Sequence, residues 1–298
     1  MTYCVGALLD DGLVMASDSR TNAGLDNISK FCKMTVFARA GDRLLTLLSS
    51  GNLAGTQAVI NVLKQRSENA AGPTNLWTAR TLFDVALLVS DVMRDIERRD
   101  APHLEGGPIS FNASFILGGQ IKGEAPRLFR IYAEGDFIEA GEETPFLQTG
   151  EAKYGKPILD RVITRSTKLA DATKCVLVSF DSTMRSNLSV GMPIDLLCYE
   201  RDSLELPMRQ RFDLGDPYFS SLSSQWSSGV RKVFRELPDL DWFNRAAPPA
   251  PKPAGASAPA NPMLLPPANP RPPARATDDD PPVSGEGAPS PAGAGPPT

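Results

Sequence analysis

Short apolar blocks separated by turn residues fill the first 50 positions, and helical spacing takes over after them. Tyr3 to Leu9 and Leu13 to Ser17 flank Asp10-Asp11-Gly12, whose Asp-Gly pair supplies the turn of a hairpin. Period-2 alternation puts Thr2, Cys4, Gly6 and Leu8 on one face of the first strand. Such small residues suit a close-packed neighbour or a narrow cleft. Residues 19–32 are polar and irregular, and Met34 to Ala38 and Leu44 to Leu48 read as a second hairpin around Gly41-Asp42.

Asn52 can cap a helix, and Leu53, Ala54, Ala58, Val59, Val62 and Leu63 follow it at helical steps. After a loop at Pro73-Thr74-Asn75, an apolar stripe from Leu82 to Ile96 predicts a helix over roughly Thr78 to Arg99. The segment Ala101 to Pro108, with His103, reads as a loop. Phe111 to Leu117 and Leu128 to Ala133 predict a strand pair across Gly118-Gly119, Glu134 to Gly141 a turn, and Pro145 to Gln148 a short strand. Tyr154 to Ile163 and Leu169 to Met184 predict helices, with Cys175-Val176-Leu177-Val178 equally able to form a buried strand. Ile194 to Tyr199 and Leu204 to Phe212 predict a closing hairpin around Arg201-Asp202-Ser203.

Strands and helices thus come in groups. Two antiparallel sheets packed face to face, with helices outside, satisfy that grouping, whereas a doubly wound parallel sheet would alternate them. A further helix over 219–237 carries Phe219, Leu222, Trp226, Val230, Val233, Phe234 and Leu237 on one stripe, for the chain's own core or for an inter-subunit contact. From Ala247 to Thr298 the pattern ends: these 52 residues hold 17 of the 27 prolines and 12 alanines. The expected organisation is a folded domain over 1–246 and a disordered Pro/Ala-rich tail over 247–298, with room for a short motif near Met263 to Leu265.

A net charge of −4 lacks the basic footprint of a nucleic-acid binder. No signal peptide or membrane-length apolar run is visible, so the expected compartment is the cytoplasm, with no membrane partner. The four cysteines are scattered singly, which suits buried reduced thiols better than a disulfide or zinc framework. A single histidine, His103, excludes His-rich metal sites, and neither a GxxxxGK[ST] nor a GxGxxG motif opens a helix after a strand.

Chemistry without histidine remains open at Thr2. Methionine aminopeptidase accepts small second residues, so removal of Met1 would expose the α-amine of Thr2. Such an amine, with a pKa of roughly 7.7–8.0, can take the proton of its own hydroxyl. A nearby lysine would lower both pKa values, and a carboxylate would hold that lysine in place.

Thr2, the Asp18 step in ASDSR, and Lys33-Met-x-x-Phe resemble the N-terminal signature of proteasome β-subunits and the bacterial HslV peptidase. Within that superfamily the chain resembles the Anbu (ancestral β-subunit) family through MTYCVGALLDDGLVMASDSRTNAG, SGNLAG, TGEAKYGKPILDR, SNLSVGMPIDL and DPYFSSLSSQWSSGVRKVF, which run through most of residues 1–240. The resemblance implies an α+β fold, the four-layer αββα sandwich of N-terminal-nucleophile hydrolases, with an added C-terminal helix. It implies Thr2 as nucleophile, Asp18 as the carboxylate beside it and Lys33 as the tuning lysine, with Lys30 as a competitor. It further implies an oxyanion donor at Gly51 and pocket walls at Thr21, Ser49 and Leu53. Asp181 and Ser186 are the candidates for the supporting Asp and Ser, and the proteasome Ser-Gly-Ser stands here as Thr149-Gly150-Glu151.

The implied activity is cofactor-free threonine peptidase or amidohydrolase chemistry on a peptide substrate. The implied partners are copies of the same chain in a ring or helical assembly, with peptide-ligase-like or transglutaminase-like functional neighbours. The alternative is a non-catalytic structural or binding subunit, and a third reading is a cysteine-dependent hydrolase using Cys4.

Overall fold

Every residue of β1 (Tyr3–Leu9) and β2 (Gly12–Asp18) is buried, which requires cover on both faces of the sheet they form. The structure, a computed structural model, describes residues 2–22, 28–68, 74–104 and 112–242. After a small two-stranded sheet of β3 (Arg20–Asn22) and β4 (Ile28–Lys30) come β5 (Met34–Arg39) and β6 (Arg43–Gly51). Helices α1 (Leu53–Glu68) and α2 (Leu82–Leu104) lead to β7 (Ala113–Ile121), β8 (Arg127–Ile131), β9 (Phe137–Glu139) and β10 (Phe146–Gly150). Helices α3 (Lys156–Val162) and α4 (Leu169–Ser186), strands β11 (Ile194–Glu200) and β12 (Met208–Phe212), and α5 (Pro217–Glu236) complete the chain.

One antiparallel sheet has the order β10-β1-β2-β11-β12, and the other β5-β6-β7-β8-β9. Alternate side chains of each strand feed different cores. Cys4, Leu8, Met15, Leu48, Ile116 and Leu128 meet between the sheets. Phe115, Leu117, Phe129 and Ile131 pack outward under α1 and α2, and Tyr3, Val5, Val14 and Leu196 under α3 and α4. The result is the expected αββα sandwich. A Cβ on Gly6 would sit 2.8 Å from Leu128 Cδ1, so the small face of β1 does meet a close neighbour, the opposite sheet.

Several boundaries differ from the sequence expectation, each for a local reason. The second helix begins at Leu82, because Asn75 Oδ1 accepts from the amides of Trp77 and Thr78 in a separate turn. Thr81 and Asp84 then exchange hydrogen bonds as a capping box. That helix continues to Leu104, so His103 lies in its last turn, its side chain outside the described residues. Gly118-Gly119 is not a turn but the middle of β7; a Cβ at Gly118 would come within 2.6 Å of Met15 Sδ across the sandwich. The 175–178 run is helical and buried through successive residues, because α4 is covered by the sheet on one side and by α3 and α5 on the other. β12 starts at Met208 rather than Leu204, since the amides of Asp202 and Leu204 are drawn onto Gln120 Oε1 and Tyr199 Oη.

Helix α5 buries only its first turns, through Phe219 and the partly buried Leu222. Trp226, Val230, Val233 and Phe234 are exposed, Phe234 to 73%. The four cysteines are free thiols, but only Cys4 and Cys175 are buried; Cys198 is half-buried and Cys32 exposed. Among the described residues no helix is long and apolar enough to cross a membrane. The compact unit ends at Pro238, and the tail over 247–298 lies outside the described residues.

Candidate active site

The β1–β2 register sets Cys4 opposite Ser17, which brings the end of β2 beside the start of β1. Asp18 Oδ1 accepts the Tyr3 amide at 3.0 Å, and the Thr2 carbonyl accepts the Glu151 amide at 2.7 Å. The backbone at and just after Thr2 is therefore tied to the Asp18 carboxylate at the end of β2 and to Glu151 just past β10. Lys33, immediately before β5, donates from Nζ to Asp18 Oδ1 at 2.8 Å and to the Arg20 carbonyl at 2.5 Å. Its own carbonyl accepts the Ser49 amide at 2.9 Å, which ties it to β6. Asp18 and Lys33 are both buried, whereas Lys30 is exposed; Lys33 is the lysine on the carboxylate.

Burial pushes the Asp18 carboxyl above the ordinary carboxylate range, while Lys33 and the amides of Tyr3 and Gly191 pull it back. Cys4 is fully buried, and burial together with the nearby Asp18 raises its thiol far from reactivity, so a cysteine nucleophile here is disfavoured.

Gly51 ends β6 at φ +98°, and a Cβ there would overlap the carbonyl of Asn112. Replacing it with Ala forces both strain and a backbone shift, a cost of about 2 kcal/mol or more. Gly51→Ala is expected to lower the thermal midpoint by roughly 4–8 °C, measured by differential scanning calorimetry. An unchanged midpoint would contradict the tight approach at this turn.

Thr2, Lys33 and Gly51 share one cavity of about 480 Å³ with Thr21, Ser49 and Leu53. Asp18 lies behind Lys33. The other two candidates are elsewhere. Asp181 accepts from Ser223 of α5 at 2.7 Å and from Arg185 at 3.0 Å, and Ser186 is the last residue of α4; neither lines the cavity. Support near Thr2 comes instead from Glu151, whose carboxylate accepts from Asn187 Nδ2 at 2.9 Å, and from Gly191, whose amide reaches Asp18 Oδ2 at 3.4 Å.

Sequence reasoning missed two features of the cavity wall. Thr149 of one sheet bonds Ser50 and Ser114 of the other at 2.8 and 2.7 Å, and Ser50 and Ser114 are 2.8 Å apart. Each hydroxyl in such a ring can donate once and accept once. Arg130 is the second feature. The signal for both was a polar residue at an inward strand position: Ser50 continues the inward row of Leu44 and Leu48, and Arg130 that of Leu128. The arrangement places a threonine beside a buried ammonium, in a cavity lined mainly by polar residues, with Leu53 the large apolar side chain among the described lining residues.

A larger groove, about 920 Å³, lies among α3, α4 and α5, lined by Val162, Cys175, Tyr218 and Trp226. It holds no pairing of nucleophile and base, and Cys175 is pushed up to about 12 by burial.

No family model and no curated protein matches the chain. Solved structures do. The chain is similar to the Anbu complex of Pseudomonas aeruginosa, described as a helical assembly, at 50% identity and a TM-score of 0.76, over 80% of this chain and 98% of that one. It is similar to Anbu (ancestral beta-subunit) from Yersinia bercovieri at 44% identity and a TM-score of 0.75, over 80% and 98%. Anbu from Hyphomicrobium sp. strain MC1 matches at 47% identity and a TM-score of 0.74, over 80% and 99%.

Proposed function

This chain belongs to the Anbu (ancestral beta-subunit) family, and on that premise we propose that it is a proteasome-type threonine hydrolase of peptide amides, working in the cytoplasm. The observation that carries the proposal is the presence of Thr2 in one cavity with Lys33, whose ammonium is fixed by the buried Asp18. With Thr2 first in the mature chain, its Oγ attacks the substrate carbonyl carbon while its α-amine takes the hydroxyl proton. The Lys33 charge disfavours protonation of that amine and so keeps it competent as a base. Backbone N–H groups near Gly51 hold the oxyanion. Collapse breaks the C–N bond, the leaving amine takes the proton, and water then cleaves the ester by the same steps in reverse. No cofactor enters.

A peptide epoxyketone, which reacts with a hydroxyl and an adjacent free α-amine, tests this directly. Wild type is expected to be labelled and Thr2→Ala to be inert; equal labelling of the two would sink the proposal by assigning the reaction to another group, and labelling of neither would leave a non-catalytic subunit.

Self-association belongs to the same proposal. Support comes from the exposed apolar half of α5 and from the helical assembly of the Pseudomonas aeruginosa relative. Trp226→Ser with Phe234→Ser is expected to shift the light-scattering mass of the protein at micromolar concentration from an oligomer toward the monomer. A mass unaffected by the pair would remove α5 from the interface.

A further inference from the structure

We propose that the cleft beside Thr2 recognises a carboxylate carried by the substrate near its reacting amide, and that Arg130 is the group that pairs with it. The consequence for turnover rests on Thr2 acting as nucleophile; the recognition itself does not.

Arg130 is in β8, two residues from Leu128 and so on the same face, the one turned toward the opposite sheet. Its register partner on β7 is Ile116, another residue of the core between the sheets. Apolar residues belong at such a position, and a guanidinium there is costly unless it is paired. Among the described residues Arg130 makes no ion pair, and its Nε is shielded from water without a hydrogen-bond partner. What holds its plane is the ring of Tyr132, 4.6 Å away.

Other arginines of this chain are treated differently. Arg43, buried where Arg130 is half-buried, is satisfied by Asp42 and by the carbonyls of Leu76 and Ala79. Arg127, on the outer face of β8, is gripped by Glu124 and by both oxygens of Glu139. Arg130 alone among these three lines the cavity, and it alone lacks a carboxylate.

The cavity has the matching electrostatics. No Asp or Glu is among its described lining residues, and its other cation, Lys33, already has a carboxylate partner in Asp18. Arg130 is therefore the uncompensated charge of the wall. The Ser50, Ser114 and Thr149 hydroxyls, which line the same cavity, can rotate to donate to an arriving anion. A planar carboxylate suits the fork of a guanidinium, in two parallel N–H···O bonds. Two sources carry that group: the side chain of an Asp or Glu residue, and the α-carboxylate at a peptide's end.

The experiment uses the Thr2→Ala protein, so that binding is read without turnover. Acetyl-Ala-Ala-Glu-amide, acetyl-Ala-Ala-Gln-amide and acetyl-Ala-Ala-Gln with a free carboxylate are titrated by calorimetry. The Glu amide, the free acid, or both are expected to bind about 10- to 100-fold more tightly than the Gln amide, and which of them does so identifies the source. Adding Arg130→Met is expected to make the three peptides equal, whereas a general loss of structure would weaken all three in proportion. Should the Met variant fail to fold, Arg130→Lys is read instead, with a preference reduced but not abolished.

Equal binding of all three peptides, no binding of either carboxylate peptide at millimolar concentration, or a preference that survives Arg130→Met overturns the proposal. The wild-type protein then separates this from the nucleophile reading. A carboxylate preference in binding without any cleavage or epoxyketone labelling leaves the recognition standing and removes Thr2. Labelling at Thr2 without the preference does the opposite.

Discussion

Replacing Lys33 with Met is expected to destabilise the protein by about 3 kcal/mol, because it leaves the Asp18 carboxylate buried without its counter-charge. Amide hydrolysis is expected to fall about 100-fold or more, since the cation that keeps the α-amine neutral is gone. The pH dependence gives the effect a signature. Burial already holds the Asp18 carboxyl above its ordinary 3.8, and loss of Lys33 removes the strongest opposing interaction. A carboxyl whose folded pKa is raised stabilises the fold in its neutral form, fully below the unfolded value and progressively less as pH rises through the folded value. The thermal midpoint of Lys33→Met should therefore decline, from pH 4 (about the ordinary carboxylate value) upward, more steeply than that of wild type. Parallel pH profiles would show that Lys33 does not carry the charge of Asp18.

The second large effect is at Thr2. Thr2→Ala removes the nucleophile and nothing else of size, and hydrolysis is expected to drop about 10⁴-fold or further. Thr2→Ser keeps both the hydroxyl and the α-amine and should retain most of the activity in the same assay. Equal activity in the Ala variant would assign turnover to another group. Since Thr2 is nearly buried and its neighbours' backbone bonds do not involve its side chain, the melting temperatures of both variants should stay close to wild type.

Thr2, Asp18, Lys33 and Gly51 were named from the family resemblance, and their coming together in the fold has a local explanation. Thr2, Asp18, Lys33 and Gly51 each lie at the end of a strand that alternation or a turn signal delimits, and adjacent hairpins bring those ends together. The same patterning carried most of the two sheets and the positions of the five described helices, but it made a turn of the segment that holds β9 and left the β3–β4 pair as irregular chain. Asp181 and Ser186 could not be judged that way. Which face of α4 points at Thr2 depends on how α4 is packed, and Asp181 turns to Ser223 on α5 instead. Glu151 and Asn187, which meet near Thr2, are 36 residues apart and share no motif.

The boundaries that shifted have the same cause. Gly118-Gly119 looked like a break because glycine usually weakens a strand, and only the opposite sheet, pressing Met15 against β7, explains its presence there. Asn75 and Thr81 both carry capping chemistry, and the chain uses the first for a turn and the second for the helix. Arg130 is legible only once its strand has been assigned a face, since its partner is missing rather than present.

Whether the mature chain begins at Thr2 with a reactive hydroxyl decides the mechanism. Tandem mass spectrometry of the N-terminal peptide, from purified protein treated with a peptide epoxyketone, measures both at once. The expected result is a peptide that starts at Thr2 and carries the adduct on that residue. A peptide that retains Met1 and carries no adduct would contradict it.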